Sequence, residues 1–282
     1  MQILRRKQQA QHPALVVIVS DLHINSAVAL LDGPVPLDDG GTYHPSKAQR
    51  WIWRCWQDFW QQVEKIDKSE LYVVINGDAV EGEHHGTTQI ITRNLDTQLG
   101  VVTRILEPVA QLADYLFIVR GTEAHTGPSA YWEEHLAKDL TCVVQDEVTA
   151  SWWHLPLEVE GVTFDIAHHP QTAGRLPHTK DSAASRQAAI VWQEYHEIDE
   201  KPPDVVIRSH VHYFARGYSR ETLAVQCPPW KLCDAFGRRL GTGRRIEPVG
   251  GVVFQCQDGH YTWYPIRYKP LVRRAWTSVN KS

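Results

Sequence analysis

Five short apolar runs recur along this chain: Ala14–Val19, Leu71–Ile75, Tyr115–Val119, Val162–Ala167 and Asp204–Ile207. Each has the length and β-branched content of a strand buried on both faces. Amphipathic stretches separate them. Ser46 is placed to cap a helix whose apolar stripe is Ile52, Trp56, Phe59, Trp60, Val63 and Ile66, at near 3.6-residue spacing. A tryptophan-rich stripe of that kind reads as core packing. Further helices are expected over Thr87–Ala113, with Gly100 as a weak point, over Ser129–Leu140, and over Ser182–His196 before Pro202-Pro203. Strands alternating with helices define an α/β fold with a central sheet between layers.

The last eighty residues lose helical period and show β-like runs such as Val249–Gln255 and His260–Tyr264. No linker precedes them, so residues 1–282 read as one domain with residues 1–12 as an arm and 201–282 as its β-rich finish. The irregular stretch from Asn25 to Pro45 is long enough to be expected as either functional or mobile.

No run of 18 apolar residues occurs, which excludes a membrane-spanning helix of ordinary type. The basic N-terminus lacks the apolar stretch and cleavage site of a secretory signal. Five widely spaced cysteines without a CxxC pair argue for reduced thiols, a cytoplasmic location and no cysteine-built zinc site. Net charge is only -4, yet residues 1–200 carry 15 Lys+Arg against 28 Asp+Glu and residues 201–282 carry 14 against 5. That asymmetry suits either an anion-binding wall or a plainly solvated surface.

The chemistry lies just past the strands. The five runs are followed by Asp21-Leu22-His23, by Gly77-Asp78-Ala79-Val80-Glu81, by Gly121-Thr122-Glu123-Ala124-His125, by His168-His169-Pro170 and by Ser209-His210-Val211-His212. The carboxyl edge of an open α/β sheet is where ligands bind. Carboxylate and imidazole donors without thiolate suit manganese, iron, zinc or nickel. No P-loop, nucleophile elbow or cysteine phosphatase motif competes.

In this order the motifs resemble those of the calcineurin-like metallophosphoesterases: DxH, GDxx(D/E), GNH(D/E), a histidine in an HxP context, and GHxH. The resemblance covers about residues 14–214. It implies a four-layer α/β/β/α sandwich with two central mixed sheets, the β-rich tail resembling the second sheet. It further implies two divalent ions, with manganese favoured, holding a bridging hydroxide. Asp21, His23 and His212 would hold one ion, Asp78 would bridge, and His168 (in preference to His169) with His210 would hold the other. His125 and Asp78 would be catalytic. The third motif departs from the family, because Thr122 replaces the usual Asn and one extra residue precedes the histidine. Glu123, the Thr122 hydroxyl, or no side chain then completes the second site, with Glu123 preferred. The variant is similar to GTxxH forms in phage-encoded members.

The reaction implied is hydrolysis of a phosphate ester, by a phosphodiesterase or nuclease. The alternatives are a phosphomonoesterase or phosphoprotein phosphatase, and a non-catalytic metal-retaining protein that binds nucleic acid. Arg238, Arg239, Arg244, Arg245, Arg267, Lys269, Arg273 and Arg274, interleaved with Trp263, Tyr264, Tyr268 and Trp276, are the candidate nucleic-acid contacts. His84, His85 and His44 are the candidate substrate contacts. Oligomeric state is left open.

Overall fold

The structure, a computed structural model, describes residues 12–84, 86–174, 176–235 and 247–270. The chain runs β1 (Ala14–Val19), β2 (Val35–Pro36), β3 (Thr42–Tyr43), α1 (Lys47–Glu64), β4 (Leu71–Asn76), α2 (Leu95–Leu112), β5 (Tyr115–Val119), α3 (Glu123–Thr126) and α4 (Tyr131–Asp139). It continues through β6 (Leu155–Val159), β7 (Val162–Ile166), α5 (Lys180–Glu197), β8 (Val205–Arg208), β9 (Ala215–Ser219), β10 (Thr222–Gln226), β11 (Val249–Gln257) and β12 (His260–Tyr268).

Two five-stranded mixed sheets form, ordered β12-β11-β1-β4-β5 and β6-β7-β8-β10-β9. In the first, β1, β4 and β5 are parallel while β11 and β12 are antiparallel additions. In the second, β7, β8 and β10 are parallel and the two edge strands antiparallel.

Strand alternation explains the layering. Leu15, Val17 and Val19 pack outward against Ile52, Trp56 and Phe59 of α1. Ala14, Val16 and Ile18 pack inward against Phe164, Val205 and Ile207 of the second sheet. Val206 and Ala224, on the far face of that sheet, meet Ala184, Ala188 and Val191 of α5. The result is the four-layer α/β/β/α sandwich. The helix stripe is core, as its spacing requires: Trp56 and Phe59 make edge-to-face contacts with Trp60 and with Trp230, each worth about 0.5–1.5 kcal/mol beyond burial. Ser46 caps α1 in a reciprocal box with Gln49.

Two local expectations are corrected. The second helix starts at Leu95, capped by Asn94, and not at Thr87. Residues before it are drawn into a strap, with Ser26 bridging Ile90 and Ile91 N–H donating to the Asn25 carbonyl. These tertiary bonds satisfy backbone groups that a helix would have used. That strap also holds the Asn25–Pro45 stretch, which buries Leu30, Leu31 and Val35 in the core beneath the β2–β3 hairpin. The tail does not form the second sheet by itself. It supplies β8, β9 and β10 to the second sheet and β11 and β12 to the first. Gly251 allows this closure, since a Cβ there would lie 2.7 Å from the Phe59 ring and 2.8 Å from the Ile18 carbonyl oxygen. Among the described residues no helix is long and apolar enough to cross a membrane.

Candidate metal centre

The carboxyl ends of β1, β4, β5, β7 and β8 meet at one rim of the sandwich, where Asp21, Asp78, Thr122, His168 and His210 lie two or three residues beyond them. The turns there are unusually tight. Asp21, His23, Asp78, His210 and His212 all adopt left-handed backbone, with φ between 44° and 71°. Such conformations cost a non-glycine residue about 1–2 kcal/mol each, and their concentration at one rim marks a site whose geometry is over-determined by its surroundings. Gly77 and Gly121 make room. A Cβ on Gly77 would stand 2.3 Å from His168 Nδ1, and one on Gly121 would stand 2.3 Å from Asp78 Oδ1.

Two adjoining donor sets result. In the first, His212 Nε2 lies 3.2 Å from Asp21 Oδ1 and 3.0 Å from His23 Nε2, with His23 Nε2 3.9 Å from both Asp21 Oδ1 and Asp78 Oδ2. In the second, His168 Nε2 lies 3.0 Å from Asp78 Oδ2 and 3.9 Å from Asp21 Oδ1, and His169 and His210 stand beside it. Asp21, Asp78 and His168 group together between the two sets.

Divalent cations fit these residues. Asp21 Oδ1 is fully buried and accepts no well-formed hydrogen bond, while three imidazole Nε2 atoms face it. An ionised buried oxygen so placed requires positive charge. The facing Nε2 atoms of His23 and His212 likewise converge as two lone pairs would on one cation.

Surrounding residues fix the orientation of the donors. His168 Nδ1–H donates to the Asn76 carbonyl at 2.7 Å, and His23 Nδ1 stands 2.8 Å from Glu81 Oε2. Both contacts leave Nε2 toward the site. Glu81 is itself held by Lys231, whose Nζ is 3.0 Å from each carboxylate oxygen. Lys231 arrives on the segment after β10, which is pinned by Trp230 N–H donating to the Asp21 carbonyl. A further donor group, Glu81, His84 and His125, therefore already contains an ammonium beside its carboxylate.

Electrostatics follow from this packing. Burial opposes ionisation of Asp21, but His212 and His168 outweigh it and hold the carboxyl below its ordinary range. Burial works the same way on Asp78, where His168 prevails. Burial and the neighbouring Lys231 ammonium lower His23 to about 3. Burial lowers His168 too, yet Asp78 and Asp21 more than reverse it and raise the group to about 10. Burial lowers His125, His169 and His210. Glu133 of α4 is raised to about 7 by burial and by Asp78, although it accepts Gly121 N–H at 2.6 Å and Ala79 N–H at 3.2 Å.

Asp21, His23, Asp78, His168, His210 and His212 come together. His169, to which the sequence reading preferred His168 as a ligand, groups with His168 and His210. Thr122 stands at the third-motif position: its hydroxyl donates to Asp78 Oδ2 at 3.2 Å and lies 3.2 Å from His169 Nε2 and 3.1 Å from His210 Nδ1. Glu123 is exposed and belongs to none of the donor groups among the described residues; it lines a cleft beyond His125. His125 adjoins the first donor set, and His84 packs on it with ring centroids 4.2 Å apart. His44 is exposed beside the α1 cap and makes no hydrogen bond or ion pair with the cluster. His85 lies outside the described residues, as do Arg238, Arg239, Arg244, Arg245, Arg273, Arg274 and Trp276. Arg267 sits over the Phe214 ring at 4.3 Å. Sequence reasoning missed Lys231 and Glu133, which have no local motif, and left Glu81 unassigned although it stands in the second motif.

The fold and the donor sets define an α/β sandwich with a candidate divalent-metal centre on its rim. No protein-family model matches the chain, and no curated protein matches it. Solved structures do. Vacuolar Protein Sorting 29 from Cryptosporidium parvum is 11% identical with a TM-score of 0.43, covering 92% of this chain and 100% of that one. A novel archaeal phosphodiesterase is 13% identical with a TM-score of 0.43, covering 89% and 99%. A predicted phosphoesterase from Streptococcus pneumoniae is 9% identical with a TM-score of 0.37, covering 91% and 100%. Likeness at this level carries no argument about activity, which rests on the site.

Proposed function

We propose that this protein is a divalent-metal-dependent phosphoesterase of the calcineurin-like type that hydrolyses phosphodiesters. The observation that carries the reading is the buried Asp21 Oδ1, faced by three imidazole Nε2 atoms within a shared array of carboxylates and imidazoles. Two divalent ions so held, manganese in our reading, supply Lewis-acid polarisation of phosphoryl oxygens and lower the pKa of water.

The chain's own residues do the rest. Thr122 N–H donates to Asp78 Oδ1 at 2.7 Å and its hydroxyl to Oδ2, fixing the carboxylate shared between the two sets. His125 Nδ1–H donates to the Glu81 carbonyl at 2.6 Å, so Nε2 is the nitrogen left for the substrate. Burial favours the neutral ring, and an arriving phosphoryl anion favours the protonated one. His125 then stabilises the transferring group or returns a proton to the leaving oxygen. His84 packs edge-on against that ring, with centroids 4.2 Å apart. A polynucleotide is one diester such a site would cleave, and the basic cluster that suggests it falls largely on residues 236–246 and 271–282, outside the described ones. Four of the five cysteines are buried thiols, in keeping with a reducing cytoplasm.

The test is a panel with manganese-loaded protein: bis-p-nitrophenyl phosphate, p-nitrophenyl phosphate and single-stranded DNA, with bound metal counted alongside. Two ions per chain and preferential hydrolysis of a diester support the reading. Two ions with no turnover of any ester would leave a metal-retaining binding protein.

A further inference from the structure

The cleft beyond His125 is not needed to bind metal, yet it opens directly from the reacting end of the site. Its volume is about 490 Å³, ample for one small-molecule substituent. Leu95, Pro128 and Trp132 form apolar wall, His125 lines its inner end, and Glu83 and Glu123 supply its charge. Glu83 faces Arg93 at 3.3 Å. The Glu123 carboxylate has no hydrogen-bond or ion-pair partner among the described residues, and the short turn of α3 that carries it also carries His125. Among the described residues no lysine or arginine lines the cleft.

Resting on the phosphodiesterase reading, we infer that this cleft is the leaving-group subsite and selects by charge, with Glu123 the specificity-determining residue and a cationic alcohol the preferred leaving group. The water oxygen forms the new bond to phosphorus and gives up a proton to solvent, the bond to the substituent oxygen breaks with its electron pair, and protonated His125 gives that oxygen a proton and regains one from solvent. The departing alcohol therefore occupies the His125 side of the phosphorus. There an anionic substituent meets the Glu123 carboxylate, which has no ion-pair partner among the described residues, a neutral one meets only apolar wall, and a cationic one gains both the carboxylate and the Trp132 indole. A polynucleotide leaving strand, with a phosphate at every step, is the disfavoured case.

The experiment uses three methyl phosphodiesters whose leaving alcohol is choline, 2-methoxyethanol or glycolate, with bis-p-nitrophenyl phosphate as reference and manganese-loaded protein. The quantity read is the kcat/KM ratio of the choline to the glycolate ester, compared between wild type and Glu123→Gln. That comparison cancels the intrinsic difference in leaving ability. The ratio should fall about fivefold in the variant, the upper range for one solvent-exposed charge contact, and fall further in Glu123→Lys, with bound metal unchanged. An unchanged ratio in both variants, with the reference diester still cleaved, would overturn the subsite while the metal centre stands. Loss of bound metal in Glu123→Gln would overturn it too, by making Glu123 a ligand. If wild type cleaves no diester at all, the phosphodiesterase reading fails first and the subsite falls with it.

Discussion

Glu133 joins the two loops that carry Asp78 and Thr122, and its buried carboxyl makes stability depend on pH in a direction opposite to most acids. It is fully buried and accepts backbone N–H groups from Gly121 and Ala79. Those bonds favour the ionised form, but burial and the adjacent Asp78 prevail and raise the group from its ordinary 4.5 to about 7. The folded state therefore holds the Glu133 proton more tightly than the unfolded chain. Its contribution is fully present below pH 4.5 and is lost as the pH rises through about 7. The difference corresponds to about 3 kcal/mol.

Glu133→Gln removes that dependence, because an amide does not titrate. It keeps one acceptor and turns an NH₂ toward the second backbone N–H, which costs about 1–3 kcal/mol. The variant should thus be about 1–3 kcal/mol less stable than wild type at pH 5, and the difference should move in the variant's favour by about 2.5 kcal/mol by pH 8. Urea unfolding between pH 5 and pH 8, with chelator present so that the Asp78 charge stays bare, measures both. Parallel stability profiles for the two proteins would refute the reasoning, since they would mean that Glu133 does not carry a shifted proton.

Three further outcomes follow from the site. Lys231→Met leaves Glu81 buried without its ammonium, so stability should fall by about 3–5 kcal/mol and metal affinity about 10–100-fold through the loosened His23; calorimetric unfolding and metal titration read the two separately. Gly77→Ala places a Cβ 2.3 Å from His168 Nδ1 at a φ of +80°; fewer than two ions should then bind per chain, while Gly33→Ala, whose Cβ meets nothing within 4 Å, should bind as wild type. His125→Ala should keep its metals and lose about 10²–10⁴-fold in rate on a diester, and loss of metal with unchanged activity per site would make His125 a ligand instead.

Much of the architecture was legible because apolar runs and stripes report burial directly. Ala14–Val19 reads as a strand buried on both faces, and it lies between the α1 layer and the second sheet. The α1 stripe and its Ser46 cap are equally local signals. The Thr87 boundary was not legible, because Gln89 and Ile91 take their backbone partners from Ala27 and Asn25, more than sixty positions away. The tail's division between two sheets also depends on distant pairing, that of β11 with β1.

The donor residues themselves are written in the sequence, since strands that end on one rim bring whatever follows them together. Their assignment to roles is not. Two adjacent histidines, His168 and His169, are equivalent as letters, and only the packed rim sets His168 Nε2 against Asp78 while placing His169 with His210. Thr122 and Glu123 are equally near Asp78 in motif terms, yet the strand-to-helix turn points the hydroxyl inward and leaves the carboxylate on the cleft wall. Lys231 has no motif at all; it reaches Glu81 because the segment after β10 folds back beneath Asp21. Sequence alone determined which donor chemistries are present, because side-chain type is local. Tertiary structure alone decided which of them share a cation, because that depends on distances of a few ångströms between residues up to 191 positions apart, as for Asp21 and His212.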